Sequence, residues 1–413
     1  MPPTDPDRSY RALLAVPSIG RVLLGMQVAR IAQSMVNVAA VLFTLSTYGS
    51  APLAGLVGVA LTLPGILCSP IAGALLDRHG RMRLVTLDYL VAAASLGLIA
   101  GLAIAGALPA WLLVLIAGVS SLTSPLSTAG LRSLFPILVP RPLWERANAA
   151  DSVGYVLATV VGPPLAGLLV VVAGPAQAIA VIGIVFVAAA VSMIGIPEPG
   201  LASDARGGLL VAAWAGLVYT WRNRTLRGLG ISFSVLNIVW GINAIVIPLL
   251  VLDRLGGGPV LIGLLFAAQG IGGIISSALF GRVDTRGREH RMLVYPMLGS
   301  AAILCLLLPD AGLAPVLIGL ILFGILNGPT DIAMFTLRQR RTDPAWMGRA
   351  FAVSMSFNFL GFPIGTGLAG VVVVAHSLDA AIAIEIGACL VAAVAAQLLI
   401  PFDRVSTRPA VEP

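Results

Sequence analysis

Twelve long apolar stretches run between Ile19 and Pro401, and nearly every arginine falls in alternate gaps between them. A chain patterned this way has far more apolar surface than one water-soluble core can bury. Of its 413 residues 58% are apolar and 10% charged, and the mean hydropathy is +0.99, outside the range of soluble domains. A bilayer core about 30 Å thick takes about 20 helical residues per crossing, so twelve crossings use about 250 residues and leave short loops. The expected fold class is an all-α membrane protein of twelve transmembrane helices. The expected spans are 19–47, 53–76, 84–106, 111–138, 147–173, 176–196, 228–252, 259–281, 292–309, 313–339, 348–374 and 378–401. The apolar run after the polar opening Met1 to Pro17 is too long for a signal peptide, so the first span is expected to stay in the protein.

Charge sets the sidedness. Arg8, Arg11, Arg21, the Arg78 loop, Arg141, Arg146, the middle loop, the Arg282 to Arg291 loop, the Arg338 to Arg349 loop and the tail all fall on one side, while Arg254 alone falls on the other. An excess of this size places the arginine-rich side and both termini in the cytoplasm. The cations are all arginine, with no lysine, and they follow topology instead of forming a patch interleaved with aromatics, so no nucleic-acid partner is expected. Cys68, Cys305 and Cys389 lie inside apolar stretches without CxxC spacing and read as small core residues, not disulfides or metal ligands.

The chain repeats. Arg146 and Gly167 are 21 residues apart, as are Arg349 and Gly370, and Ala147, Ala149, Leu157, Gly162, Leu165 and Ala166 match identical residues in the second window. Pro52 to Asp77 and Pro259 to Asp284 are both 25 residues. Parallel six-helix repeats are the architecture of transporters whose halves rock around a central site. The expected organisation is a cytoplasmic tail 1–18, a six-helix bundle 19–196, a cytoplasmic linker 197–227, a second bundle 228–401 and a tail 402–413. Gly207 to Trp221 within the linker is apolar enough to lie along the membrane surface.

The loop after the second span reads Gly73-Ala-Leu-Leu-Asp77-Arg78-His79-Gly80-Arg81-Met82-Arg83, and a weaker copy, Asp284-Thr285-Arg286-Gly287-Arg288, follows the eighth. This resembles the GxLaDRxGRkxxL signature of the major facilitator superfamily. The resemblance implies two pseudo-symmetric six-helix bundles, and a gating role for this loop in which Asp77 and Arg81 latch the outward-facing state. On the fifth span Gly162, Pro163 and Gly167, with Ala149, Ala158 and Ala166, are similar to the superfamily's antiporter motif, with alanine in place of glycine at three positions. Small residues on one face allow close packing and Gly162-Pro163 can kink the helix. Together with the stretch Leu131 to Ala149, these motifs resemble bacterial drug and siderophore proton antiporters. The arginine that many proton-coupled members carry early in the fourth span is absent from Trp111 to Leu115, so the resemblance carries export further than proton coupling.

In that superfamily the first, fourth, seventh and tenth spans line the cavity, and polar residues at membrane depth are functional candidates by default. Span 1 offers Gln27, Arg30, Ser34 and Asn37 on one face; span 4 offers Ser121, Ser124, Thr128 and Arg132; span 7 offers Asn237 and Trp240, with Asn243 off that line; span 10 offers Asn327, Asp331, Met334 and Arg338. Arg30 lies roughly 16 Å into its helix, and Asp331 roughly 12 Å from the cytoplasmic end of its own. Two arrangements are open: Arg30 and Asp331 approach across the cavity, or Asp331 is the protonatable coupling group and Arg30 meets an anionic substrate. Asp88 and Asp151 are expected in the cytoplasmic charge network, Glu385 at a peripheral helix, and Gln269, Asn358 and Tyr155 at the cavity wall.

No GxxxxGK[ST] loop, HExxH or GxSxG element is present, which argues against ATP hydrolysis and intramembrane enzyme chemistry, and no cofactor or metal is expected. The function expected is secondary active transport by alternating access, a proton-coupled efflux of amphipathic small molecules; the alternative is uptake or export of a specific metabolite, siderophore or lipid. The expected partners are the lipid bilayer, the small-molecule substrate and protons, with the chain a monomer in a bacterial plasma membrane.

Overall fold

The computed structural model describes residues 9–196, 209–280, 287–308, 312–343 and 346–401. A short helix α1 (Tyr10–Ala15) leads into α2 (Ile19–Tyr48), the first span. Span 2 is α3 (Ala51–Ala60) plus α4 (Leu63–His79), and spans 3 to 6 are α5 (Arg81–Ile104), α6 (Ala110–Leu138), α7 (Trp144–Ala173) and α8 (Pro175–Met193). After α9 (Leu209–Arg222), spans 7 to 10 are α10 (Arg224–Leu249), α11 (Pro259–Phe280), α12 (Glu289–Leu304) and α13 (Leu313–Arg341). Span 11 is α14 (Met347–Phe359) plus α15 (Gly361–Ala375), and span 12 is α16 (Leu378–Leu399). Among the described residues twelve helical spans are long and apolar enough to cross a membrane, and their outward faces carry large apolar side chains such as Leu98, Trp111, Val172 and Leu398.

Sequence patterning did not show that spans 2 and 11 are broken. Pro64 has no N–H to bond to the Ala60 carbonyl, so the helix stops after Ala60, and the Thr62 hydroxyl caps the Gly58 carbonyl at 2.8 Å. Pro363 does the same to the carbonyl of Phe359 at the α14 to α15 junction. By contrast α7 runs unbroken through Pro163 and Pro164. The α9 helix is tied to the second half by Tyr219 stacked on Trp346 at 4.9 Å, and the Asn223 amide after it donates to the Arg341 carbonyl at 2.9 Å.

Helices in lipid gain nothing from burying apolar surface against one another, so small residues that admit a neighbour's backbone decide which faces meet. The internal repeat becomes geometry in this way. Gly162 packs against Ser34, with room for no Cβ (2.6 Å from the Ser34 Cβ), and its repeat equivalent Gly365 packs against Ile238 (2.9 Å from the carbonyl carbon). Spans 1 and 5 thus meet as spans 7 and 11 do. Gly65 abuts Ser121 between spans 2 and 4, and its equivalent Gly272 abuts Ile321 between spans 8 and 10.

The two halves meet along a seam with the same two-fold logic. A Cβ on Gly167 would lie 2.9 Å from the Pro259 carbonyl carbon, and one on Gly370 would lie 3.0 Å from the Cα of Pro52. Gly263 approaches the Pro163 carbonyl and Gly55 the Thr366 carbonyl, each with 2.5 Å left for a Cβ. Spans 5 and 8, and spans 2 and 11, are therefore in backbone contact on the side opposite the arginine-rich loops. Nearer the arginine-rich side a hydrogen bond of 2.6 Å between the Ser69 and Ser356 hydroxyls joins spans 2 and 11.

Candidate transport site

The polar stripe of span 1 divides between two environments. Gln27 lies against Gly154 and Ser34 against Gly162, so both turn toward α7. Arg30 turns the same way: its Nη2 is 2.5 Å from Asp151 Oδ1 and its Nη1 donates to the Asp151 carbonyl at 2.9 Å, with the exposed Tyr155 ring 5.9 Å from the guanidinium. Both charged side chains are largely removed from solvent, at 18% and 15% exposure. Further along α2 Asn37 is exposed, as is Gln33, which the stripe in the sequence did not include although it stands three residues from Arg30 and four from Asn37.

The partner of Arg30 is thus Asp151, not Asp331. The physical reason is local: glycines at 154 and 162 seat α7 directly on α2, which brings a carboxylate of the same half to the arginine. Asp151 belongs to this intramembrane pair and not to a loop network. Asp88 is corrected likewise; it is buried and faces Thr123 and Ser127 of α6.

In the second half Asp331 accepts from the Asn327 amide one turn back at 3.0 Å. Two turns further along α13, Arg338 is fully buried, with Nη1 on the Met355 sulfur and its guanidinium 5.9 Å from the Phe335 ring. Asn358 donates to the Met334 sulfur at 3.0 Å and is buried, as is Gln269, so these two belong to the packed interior and not to an open wall. Asn237 donates to the Phe233 carbonyl at 2.9 Å, and the half-buried Trp240 ring meets Phe323 at 5.4 Å. On α6, Ser124 is half-buried and its carbonyl accepts from the exposed Thr128 hydroxyl at 3.1 Å. Glu385, on the helix expected at the periphery, is completely buried.

At the motif loops both glycines have positive φ. Gly80 has φ 95° and ψ 137°, and Gly287 has φ 72°. Arg78 and Arg288 are exposed, and Arg81 stands at the start of α5. Asp284 lies outside the described residues, as do the surroundings of Gly73 and the Asp77 side chain. The Gly80 backbone lies where side chains cost about 1–3 kcal/mol. Gly80→Ala is therefore expected to lower the amount of protein in the membrane, while Arg78→Ala, at an exposed side chain, leaves it unchanged; immunoblots of membrane fractions check this.

Among the described residues no three His, Cys, Asp or Glu side chains are grouped as metal ligands. Two helix-packed halves with mirrored seams and polar groups at membrane depth define a multi-pass membrane transporter of the major facilitator fold. The chain belongs to the transmembrane secretion effector family of that superfamily, whose model matches residues 17–409. It is 39% identical over 402 residues to the uncharacterized MFS-type transporter y4rN of Sinorhizobium fredii, covering 96% of this chain and 98% of that one. It is 26% identical to the multidrug efflux pump Tap of Mycolicibacterium fortuitum (80% and 83% covered) and 24% identical to macrolide efflux protein A of Streptococcus pyogenes (83% and 85%). Its fold matches the crystal structure of the nucleoside transporter NupG with a TM-score of 0.74 at 11% identity, covering 92% of this chain and 98% of that one. A bacterial Spinster homologue in an inward-facing, unoccupied conformation matches with 0.70 at 14% identity, covering 96% of each.

Proposed function

We propose that the chain exports amphipathic small molecules across a bacterial plasma membrane, driven by protons, with units 19–196 and 228–401 rocking about the seam. The observation that carries this reading is the symmetric glycine seam. It closes one face by backbone contact at repeat-equivalent positions, so both contacts open together in a rigid rotation. With the arginine-rich side cytoplasmic, as charge bias favours, the closed face is the outer one. The efflux names of the multidrug and macrolide relatives support export.

Under this reading Asn37, Ser124, Thr128, Asn237, Trp240, Asn327 and Asp331 present neutral hydrogen-bonding groups, one aromatic face and one carboxyl to the substrate. Arg30 is neutralised by Asp151. Such a lining suits a lipophilic molecule with few polar groups, since few charges need desolvation. Asp331 is the proton-exchanging group of the cavity and Asn327 its hydrogen-bond partner, while the Asp77 to Arg81 loop latches the opposite state.

The test is dye and antibiotic efflux in a pump-deficient bacterial host under an imposed proton gradient. Wild type is expected to export and to raise resistance. Asp331→Asn should retain binding and lose gradient-driven export by about a hundredfold or more, the scale of one lost proton-transfer group. Unchanged gradient response in Asp331→Asn would remove it from the coupling role, and no export of any amphipathic compound would assign the cavity to a dedicated metabolite, siderophore or lipid.

A further inference from the structure

Span 12 is held against span 7, and the contact fixes its register. A Cβ on Gly228 would lie 2.9 Å from the carbonyl carbon of Leu399, so these residues touch near the arginine-rich side. From that contact the two helices run antiparallel to one another. Fifteen residues along α10 is Asn243, about 22 Å up the axis; fourteen residues back along α16 is Glu385, about 21 Å up. At about 100° per residue Asn243 returns to within about 60° of the face Gly228 presents, and Glu385 lies between the directions of Leu399 and Ile400, whose backbone carbonyl and side chain respectively meet Gly228. The two side chains therefore stand at one height on faces turned toward each other's helix.

Both are sealed. Glu385 is 0% exposed and Asn243 1%. Among the described residues neither Glu385 oxygen has a hydrogen-bond partner, and neither the amide nitrogen nor the oxygen of Asn243 has one. A buried polar atom without a partner costs about 1–3 kcal/mol, and an unpaired buried charge costs more. Apart from the exposed Tyr295 phenol midway along α12, the ionisable groups on elements packed against α16 sit at helix ends. On α10 and just beyond it they are Arg224, Arg227, Asp253 and Arg254; on α12 they are Glu289, which pairs with Arg340, His290, which bonds the Ile400 carbonyl, and Arg291; on the α15 side there is His376. Arg254 is itself paired with Asp379 at 2.5 Å. The Cys389 thiol, one turn along α16, is near Glu385.

We propose that Glu385 and Asn243 form a proton-binding site inside the second half, separate from the cavity of Asp331, and that this site takes part in ion coupling. The chemistry of the pair is complementary. A carboxylic acid offers one donor and one acceptor, and so does the face of a carboxamide. With the proton bound, rotation of the two side chains toward each other lets the Glu385 O–H donate to Asn243 Oδ1 and the Asn243 N–H donate to the Glu385 carbonyl oxygen. A donor and an acceptor on each side chain are then satisfied in one ring. With the proton gone, a carboxylate faces a carboxamide oxygen and no cation, so release requires the contact between spans 7 and 12 to admit water. The coupling part of this proposal rests on the proton-driven reading of the whole protein; the proton site itself does not.

Infrared difference spectra of the purified full-length protein, wild type minus Glu385→Gln, test the site without any transport measurement. The expected result is one protonated-carboxyl carbonyl band, deuterium-sensitive, that Asn243→Ala shifts toward the position of a free acid. Absence of that band, or a band indifferent to Asn243→Ala, overturns the site. Glu385→Gln keeps size and neutrality, so its amount in the membrane should match wild type, and Glu385→Leu serves as a second neutral variant. In proteoliposomes both variants are expected to lose the dependence of export on an imposed proton gradient while retaining substrate exchange. A full gradient response in either variant overturns the coupling role. A wild type with no gradient-driven transport overturns the proton-driven reading instead, and the infrared result stands or falls separately.

Discussion

Asp151→Ala is expected to be among the most damaging single side-chain truncations in the first half. It leaves the Arg30 guanidinium, 18% exposed and roughly 16 Å into α2, without the carboxylate that meets it at 2.5 Å. Breaking a largely buried pair on one side costs about 3–5 kcal/mol, far more than the pair contributes relative to an apolar replacement of both members. That asymmetry gives the prediction its form. Asp151→Ala and Arg30→Ala should each lower the melting temperature in detergent and the amount of folded protein. The double replacement by Leu at 151 and Met at 30 should recover most of the loss in stability without restoring transport. The exchange Arg30→Asp with Asp151→Arg should recover stability in part, because the Arg30 Nη1 bond to the Asp151 carbonyl at 2.9 Å is not reproduced by the swap. Single variants as stable as wild type would mean that the pair is solvated and structurally idle.

The second large effect is expected at the seam. Gly167→Leu and Gly370→Leu place a branched side chain where a Cβ alone comes within 2.9 Å of the Pro259 carbonyl carbon or 3.0 Å of the Pro52 Cα. Overpacking of this kind costs about 1–3 kcal/mol. Alternating conformations differ by a few kcal/mol, so a penalty paid only in the closed state is enough to invert the populations. Export should fall by about tenfold or more for each. In a background lacking Cys68, Cys305 and Cys389, Asn37→Cys should become reactive to an impermeant maleimide from the side opposite the arginine loops in both variants and not in wild type. The repeat makes the prediction stricter: the two leucines occupy equivalent positions, so they should act alike. An effect at Gly167 with none at Gly370 would mean the seam does not open as one unit.

Much of this architecture can be read from residue order. Hydropathy marks the spans, and arginine bias orders the loops. The matches of Gly162 with Gly365 and Gly167 with Gly370 announce contacts that the fold realises twice. Gly80 and Gly287 are legible for a similar reason, because a turn with positive φ selects glycine directly. The breaks at Pro64 and Pro363 were also visible in principle, but Pro163 and Pro164 show why a proline alone does not settle the matter: α7 continues through them.

The polar residues behave differently. Periodicity puts Gln27, Arg30, Ser34 and Asn37 on one side of a helix, but not which neighbour that side meets: the first three turn toward α7, while Asn37 further along is exposed, as is Gln33. The rotation of α2 is set by where Gly154 and Gly162 let it seat, and those glycines lie more than a hundred residues away. Asp88 and Asp151 are placed near a cytoplasmic end by counting along their own helices, but which neighbouring span holds each is not written there. A peripheral place for span 12 does not say which of its faces carries Glu385, and the fold turns that carboxyl inward.

By itself the sequence determined the number of spans, their alternation, the two-fold repeat and the small residues on which close contacts depend. These follow from transfer free energy, charge and backbone sterics, which act residue by residue or at short fixed spacing. Only the tertiary structure decided which carboxylate meets Arg30, which polar groups are sealed, and that the two seams close the same face. Those outcomes depend on the mutual rotation and register of helices distant in sequence, and packing between whole surfaces fixes them.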